Sequence, residues 1–321
     1  MIEIKDKNVW DNFVKSFPQR TFVNSWDWGE FRKSLGDKIW RMGLLKDGEL
    51  ESIFLASKVY AKKGNFLLLN HFPIIKESSV LEEVLFNIKK IAIKEKVSFV
   101  RIAPISNEPL DGFIDSSSRV FPTRSWVLDI STSEDEILSG MRKEYSRRIR
   151  KASRNKDIEV VISNNINDID LFYSLMDTTS KRQGFSSFSK EYLKKEFDVF
   201  SLDNNIFLSL GYYKKRLVAG ALVVLYSGKA FYHHGASEAL SSTISVPQIV
   251  QWVAIKEAKR RGATTYDFWS IAPDDNPSHK WAGLTFFKKS FGGYAINYPN
   301  AKDLPMSKRY WLTYVFEKIK R

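Results

Sequence analysis

The sequence predicts an α/β (α+β) chain built as a tandem of two domains, each a mixed, mostly antiparallel sheet flanked by helices. Three observations predict it. A length of 321 residues is ample for two domains that each bury a core of their own. The same order of helices and strands occurs twice. A basic helix running into a strand that ends Ile-Ala-Pro closes that order both times, at 91–104 and at 255–273, as an internal duplication would leave it.

Apolar residues at helical spacing, Val9, Trp10, Phe13, Val14 and Phe17, then Trp28, Phe31 and Leu35, predict two opening helices. Alternating or apolar runs at 39–45 and 50–59 flank Lys46-Asp47-Gly48-Glu49, a hairpin signal. A strand at 66–72, a helix at 80–94 and a strand at 98–105 complete the first half. The second half repeats the theme: strand 158–162, helices 166–180 and 190–200, strands 206–213, 217–226 and 229–234, a helix 247–261 closed by Gly262, and a strand 265–271. The expected domains are 1–152 and 153–304, with a last helix within 305–321 packing back on the first.

Composition narrows the chemistry. Apolar residues are 43% and charged residues 27%, which is globular rather than disordered. Cysteine is absent, which excludes disulfides, thiolate metal sites and a thiol nucleophile. The charged start Met1-Ile2-Glu3-Ile4-Lys5-Asp6-Lys7 lacks an apolar core, and the longest apolar stretch, 217–226, is too short for a bilayer. A cytoplasmic, monomeric protein is expected. The net charge of +13 favours polyanionic partners. One helix, 136–155, concentrates it, with Arg147, Arg150, Lys151 and Arg154 at three- and four-residue spacing. That face suits the phosphates of tRNA or of the inner membrane leaflet; a solvated surface helix is the alternative.

The element order resembles the acetyltransferase (GNAT-like) fold, here in two copies. Several motifs resemble the FemXAB family of peptidoglycan cross-bridge enzymes across nearly the whole chain. Phe22-Val23-Asn24-Ser25-Trp26-Asp27-Trp28-Gly29-Glu30-Phe31-Arg32 is similar to a family element, with Asn24 for its usual glutamine and Arg32 where its lysine touches substrate phosphate. Residues 176–185 resemble the helix end that supplies a phosphate-binding arginine, Arg182 here; a tyrosine that some relatives carry four positions later is Ser186. Tyr232-His233-His234-Gly235-Ala236-Ser237, then Tyr266-Asp267-Phe268, then 283–293 with the pair Phe287-Lys288 complete the likeness. No long charged heptad insertion is present, so the resemblance is to a compact member without a coiled-coil arm.

That resemblance implies transfer of an amino acid from aminoacyl-tRNA, a co-substrate, to the stem-peptide amine of a peptidoglycan precursor, lipid II or a UDP-linked muramyl pentapeptide. It implies no metal and no separate cofactor. An aminoacyl ester is already activated, so the enzyme has to place the amine and stabilise the oxyanion; Lys288 beside Phe287 is the nominee. Arg32 and Arg182 would clamp the precursor diphosphate, unless Arg32 simply pairs with Glu30 or Asp37. Asp267, Tyr232, His233 and His234 are candidate proton acceptors, with none singled out. The two histidines should alternate faces, and Trp269 and Trp281 should flank the cleft. Two rival readings are a CoA-dependent N-acyltransferase and a non-catalytic RNA-binding protein. The first would need a glycine-rich turn before its helix, and neither 238–246 nor 72–80 contains glycine.

Overall fold

The computed structural model describes residues 1–61, 64–118, 123–239 and 244–319. It divides into two compact units, Met1–Thr123 with Asn297–Arg321, and Arg124–Ile296.

In the first unit, helix Lys7–Lys15 starts on Asp6, whose carboxylate accepts from the Asn8 and Val9 amides, and buries Trp10 and Val14. Helix Trp26–Ser34 starts on Ser25 in the same way. Strands Lys38–Lys46 and Glu49–Val59 form the expected hairpin. Phe66–Phe72 adds antiparallel to it, and helix Leu81–Lys94 leads to Phe99–Pro104, which pairs in parallel with Phe66–Phe72. Strand Phe99–Pro104 is buried throughout. Its other edge is covered by Lys302–Pro305.

A buried ion cluster locks that last strand. Arg101 donates through Nε and Nη2 to the two carboxylate oxygens of Asp303, at 2.7 and 2.8 Å. Glu317, on helix Tyr310–Ile319, accepts from the same guanidinium at 3.0 and 2.8 Å.

The second unit is a seven-stranded sheet in the order Tyr294–Asn297, Arg124–Asp129, Thr265–Ser270, Lys229–Ser237, Arg216–Tyr226, Ile206–Tyr213, Ile158–Ser163. Lys229–Ser237 and Thr265–Ser270 run parallel, as their crossover through helix Val246–Arg260 requires. The pairs on either side are antiparallel. Helices Asp168–Gln183 and Lys190–Ser201 also pack on this sheet.

Three expectations change. The domain boundary falls at 123/124 rather than 152/153, because Arg124–Asp129 pairs with Thr265–Ser270 and helix Lys143–Ser153 packs on Val246–Arg260. The return to the first unit begins at 297 rather than 305, since Lys302–Pro305 is a strand of its sheet. The helix expected over 136–155 is two, Glu134–Gly140 and Lys143–Ser153. Met141 between them is extended and buried, and the Arg142 amide donates to the Ser290 carbonyl. The extended backbone at Met141 and the outward bond of the Arg142 amide interrupt the helical hydrogen-bond ladder there.

Candidate active site

Strand Thr265–Ser270 is interrupted near its end. Trp269 adopts a left-handed φ of 62° and the register with Arg124–Asp129 shifts between Asp267 and Ser270, a bulge of the kind that re-aims groups beside functional sites. Asp267 holds the distortion: its Oδ1 accepts from the Trp269 amide at 2.7 Å and from the Ser125 hydroxyl. The Ser270 carbonyl accepts instead from Lys288 Nζ, at 2.6 Å. Lys288 lies on helix Ala282–Lys289, and three residues earlier Thr285 Oγ1 accepts from the Ala272 amide at 2.9 Å. Positions three apart share a helix face, so both bonds tie one face of this helix to the strand end.

Lys288 is only 5% exposed. Burial pulls its ammonium down to about 7, and the Asp267 carboxylate partly opposes the shift. Asp267, likewise buried, is pushed up to about 6, against its hydrogen bonds and the Lys288 charge. Near neutral pH, Asp267 is mostly ionised and Lys288 is poised between its two forms. The lysine Nζ stands 5.6 Å from the centre of the Tyr232 ring. Burial pushes the Tyr232 phenol well above its ordinary value, and Gln251 hydrogen-bonds it. A phenol held protonated donates hydrogen bonds, so Tyr232 is removed as a proton acceptor. Phe287 packs edge-on to Tyr145 and Phe291 at the margin of the apolar core, so it braces the helix that carries Lys288.

The histidines do not alternate. Along Lys229–Ser237 the register to its neighbour shifts: Val223 faces Tyr232, Leu222 faces His234, and His233 is the extra residue. Both rings therefore turn to one carboxylate, His233 Nδ1 lying 2.6 Å and His234 Nε2 2.9 Å from the two oxygens of Glu196. Trp269 is buried against His233 and Phe231 rather than free to stack on a ligand. Trp281 is 37% exposed.

Arg182 is exposed at the end of helix Asp168–Gln183, which Gly184 closes at a left-handed φ of 70°, and it donates to the Ser237 carbonyl at 2.7 Å. Arg32, in the first unit, is ion-paired with Asp37, the plain alternative to a phosphate contact. On helix Lys143–Ser153 and its C-cap, Arg147, Arg150, Lys151 and Arg154 are exposed, and with Lys143 and Ser146 they line an open concavity of about 480 Å³. None of these five cations has an ion-pair partner among the described residues, whereas Arg148 pairs with Glu144. The glycine-free stretch at 238–246 lies partly outside the described residues.

Sequence reasoning missed Gln251, Ser125 and Glu196. Two of them carried a readable signal. Gln251 follows Ile249 and Val250 on a buried helix face, and Glu196 falls between Leu193 and Phe197 on an apolar stripe, where a polar side chain needs a partner.

No described helix is long and apolar enough to cross a membrane. The FemAB family matches residues 6–112 and the acetyltransferase (GNAT) domain residues 139–277. The lipid II:glycine glycyltransferase of Staphylococcus aureus is 21% identical over 372 aligned positions that cover 88% of each protein. The crystal structure of FemX superposes with a TM-score of 0.82 at 20% identity, over 99% of this chain and 100% of that one. A tandem GNAT protein from the clavulanic acid biosynthesis pathway matches with a TM-score of 0.54 at 7% identity, over 84% of both. The fold is the tandem acyltransferase architecture expected from the sequence, and the FemAB match, the glycyltransferase likeness and the FemX superposition together support membership of the FemXAB family.

Proposed function

We propose that this protein transfers an aminoacyl group from aminoacyl-tRNA to a stem-peptide amine of a peptidoglycan precursor, forming a cross-bridge amide. The likeness to the lipid II:glycine glycyltransferase supports the acceptor class. The observation that carries the chemistry is the Lys288 ammonium, desolvated beside Asp267 and Tyr232, with no thiol in the chain.

The acceptor amine attacks the ester carbonyl, a C–N bond forms, the C–O bond to the tRNA ribose breaks, and the amine proton passes to the departing oxygen. Negative charge gathers on the carbonyl oxygen. A cation in a dry site stabilises that charge far more than one in water, and Lys288 supplies it by exchanging the Ser270 carbonyl for the oxyanion. Asp267, pushed up to about 6, is the residue best matched to relay the proton. Tyr232 and Phe287 keep the lysine in place. Arg182 and Arg32 offer guanidinium groups to the precursor phosphates, Arg32 after release from Asp37. The exposed cations Arg147, Arg150, Lys151 and Arg154 supply a phosphate-binding surface for tRNA, with the inner membrane leaflet as its competitor.

Purified protein supplied with charged tRNA and a muramyl-pentapeptide precursor should form an RNase-sensitive aminoacylated product. Transfer supported by acetyl-CoA and not by charged tRNA would replace this reading with a CoA-dependent N-acyltransferase.

A further inference from the structure

Glu196 is a carboxylate with no exposed surface, set in the apolar stripe of helix Lys190–Ser201 between Leu193 and Phe197. Among the described side chains its hydrogen-bond partners are the two histidine rings. A buried carboxylate is costly unless it is paired or coordinates a metal, and here two imidazoles converge on it.

The strand gives up regular pairing to build this arrangement. Without the extra residue at His233, the two rings would lie on opposite faces of the sheet. With it, one ring nitrogen of His233, one of His234 and one Glu196 oxygen lie within 4.8 Å of one another. Phe188 stands edge-on to His234 at 5.2 Å and Trp269 edge-on to His233 at 6.3 Å, which walls the cluster with aromatic rings.

We propose that Glu196, His233 and His234 form a site for a divalent transition-metal ion, zinc by the character of its donors. Two imidazoles and one carboxylate suit zinc, whereas magnesium and calcium take oxygen ligands. Bonds of about 2.0–2.2 Å in a tetrahedron set ligand atoms about 3.3–3.6 Å apart. The present separations of 2.6 and 2.9 Å therefore need to open by about 1 Å or less, and the ring nitrogens, now within 4.8 Å of each other, need to close by up to about 1.5 Å. Each ring moves its proton to the nitrogen facing away from the carboxylate, His233 Nε2 and His234 Nδ1, and water takes the fourth position. The ion fixes helix Lys190–Ser201 to the strand that carries Tyr232. This site is independent of the transfer reaction proposed above.

The test uses the full, untagged chain. Metal content is measured as purified; chelator-treated protein is then titrated with zinc by calorimetry and with cobalt by visible absorption. Expected are about one zinc per chain and the absorption bands of four-coordinate cobalt. Loss of an outer-shell partner alone costs 10–100-fold in metal affinity, so Glu196→Gln should weaken zinc binding by at least about tenfold. If Glu196→Gln does not fold by circular dichroism, His233→Ala decides, with the same loss expected. Absence of zinc binding by the wild-type chain at about 100 μM, far above the dissociation constants of structural sites, overturns the proposal. Equal zinc binding by wild type and the folded variant overturns it too.

Discussion

A β-carbon built on Gly235 would overlap the hydroxyl of Tyr232. The phenol that lies under Lys288 thus crosses the backbone of its own strand three residues on, which is why glycine follows tyrosine at that spacing. Gly235→Ala should destabilise the chain by about 1–3 kcal/mol through overpacking and lower the transfer rate by displacing Tyr232. In a Tyr232→Leu background the alanine should cost much less, a coupling that denaturant unfolding of the double-mutant cycle measures. Additive effects would remove the steric account.

The buried lysine opposes folding at neutral pH. Its folded value of about 7 lies below the ordinary 10.5, so between those values the unfolded chain holds a proton that the folded chain has released, and stability rises with pH. Lys288→Met should therefore be more stable than wild type. The gap should be widest below pH 7 and should close toward pH 10.5, by at most roughly 1.4 kcal/mol for each pH unit crossed. Asp267 has the opposite sign: raised from 3.8 to about 6, it makes the fold lose stability as pH climbs through that window. Together the pair contributes least between pH 6 and 7, and urea midpoints across pH 4–10 would show the trough.

If Lys288 acts as an ammonium, its role in transfer ends as it deprotonates. Wild-type turnover should fall above about pH 7, and Lys288→Arg, which stays charged, should keep part of the activity and extend the profile to higher pH. Lys288→Ala should lower kcat by about 10²–10³, the loss typical of one oxyanion donor, with little change in precursor binding. A wild-type profile that rises through pH 7 and is abolished in Lys288→Arg would mark the lysine as a base.

Asp303→Ala leaves Arg101 facing Glu317 alone in a buried setting. Breaking one partner of a buried pair costs about 3–5 kcal/mol, and this loss should appear in equilibrium unfolding. Asp303→Asn keeps the shape and should cost less than alanine.

The cations of helix Lys143–Ser153 and its C-cap can be tested by salt. Replacing Arg147, Arg150, Lys151 and Arg154 with glutamine should leave the fold intact, since all four are exposed. It should weaken charged-tRNA binding and lower the slope of log affinity against log salt by up to about 0.7–0.9 for each lost contact. An unchanged slope would place the RNA elsewhere.

Local periodicity located nearly every long helix and strand, because amphipathic spacing is written in neighbouring residues. It did not locate Arg124–Asp129 as a strand, since that segment is defined by pairing with Thr265–Ser270, far along the chain. The same limit explains the domain boundary. The histidine pair was misjudged for a related reason: strict alternation follows from regular pairing, and the bulge at His233 is a property of two strands together. Lys288 and Asp267 stood out in the sequence as residues, yet their closeness depends on the break at Trp269, which no local pattern announces.

The first unit is closed by its last residues. On the ribosome, the chain from Arg124 to Ile296 is complete before Lys302–Pro305 has been made, so the later unit has all its strands while the earlier one still shows an open edge at Phe99–Pro104. Until Asp303 is synthesised, the Arg101 guanidinium has no carboxylate to enter the interior with. Order of synthesis and order of completion are thus reversed, and a nascent chain stalled short of residue 302 would present that bare strand edge to its neighbours.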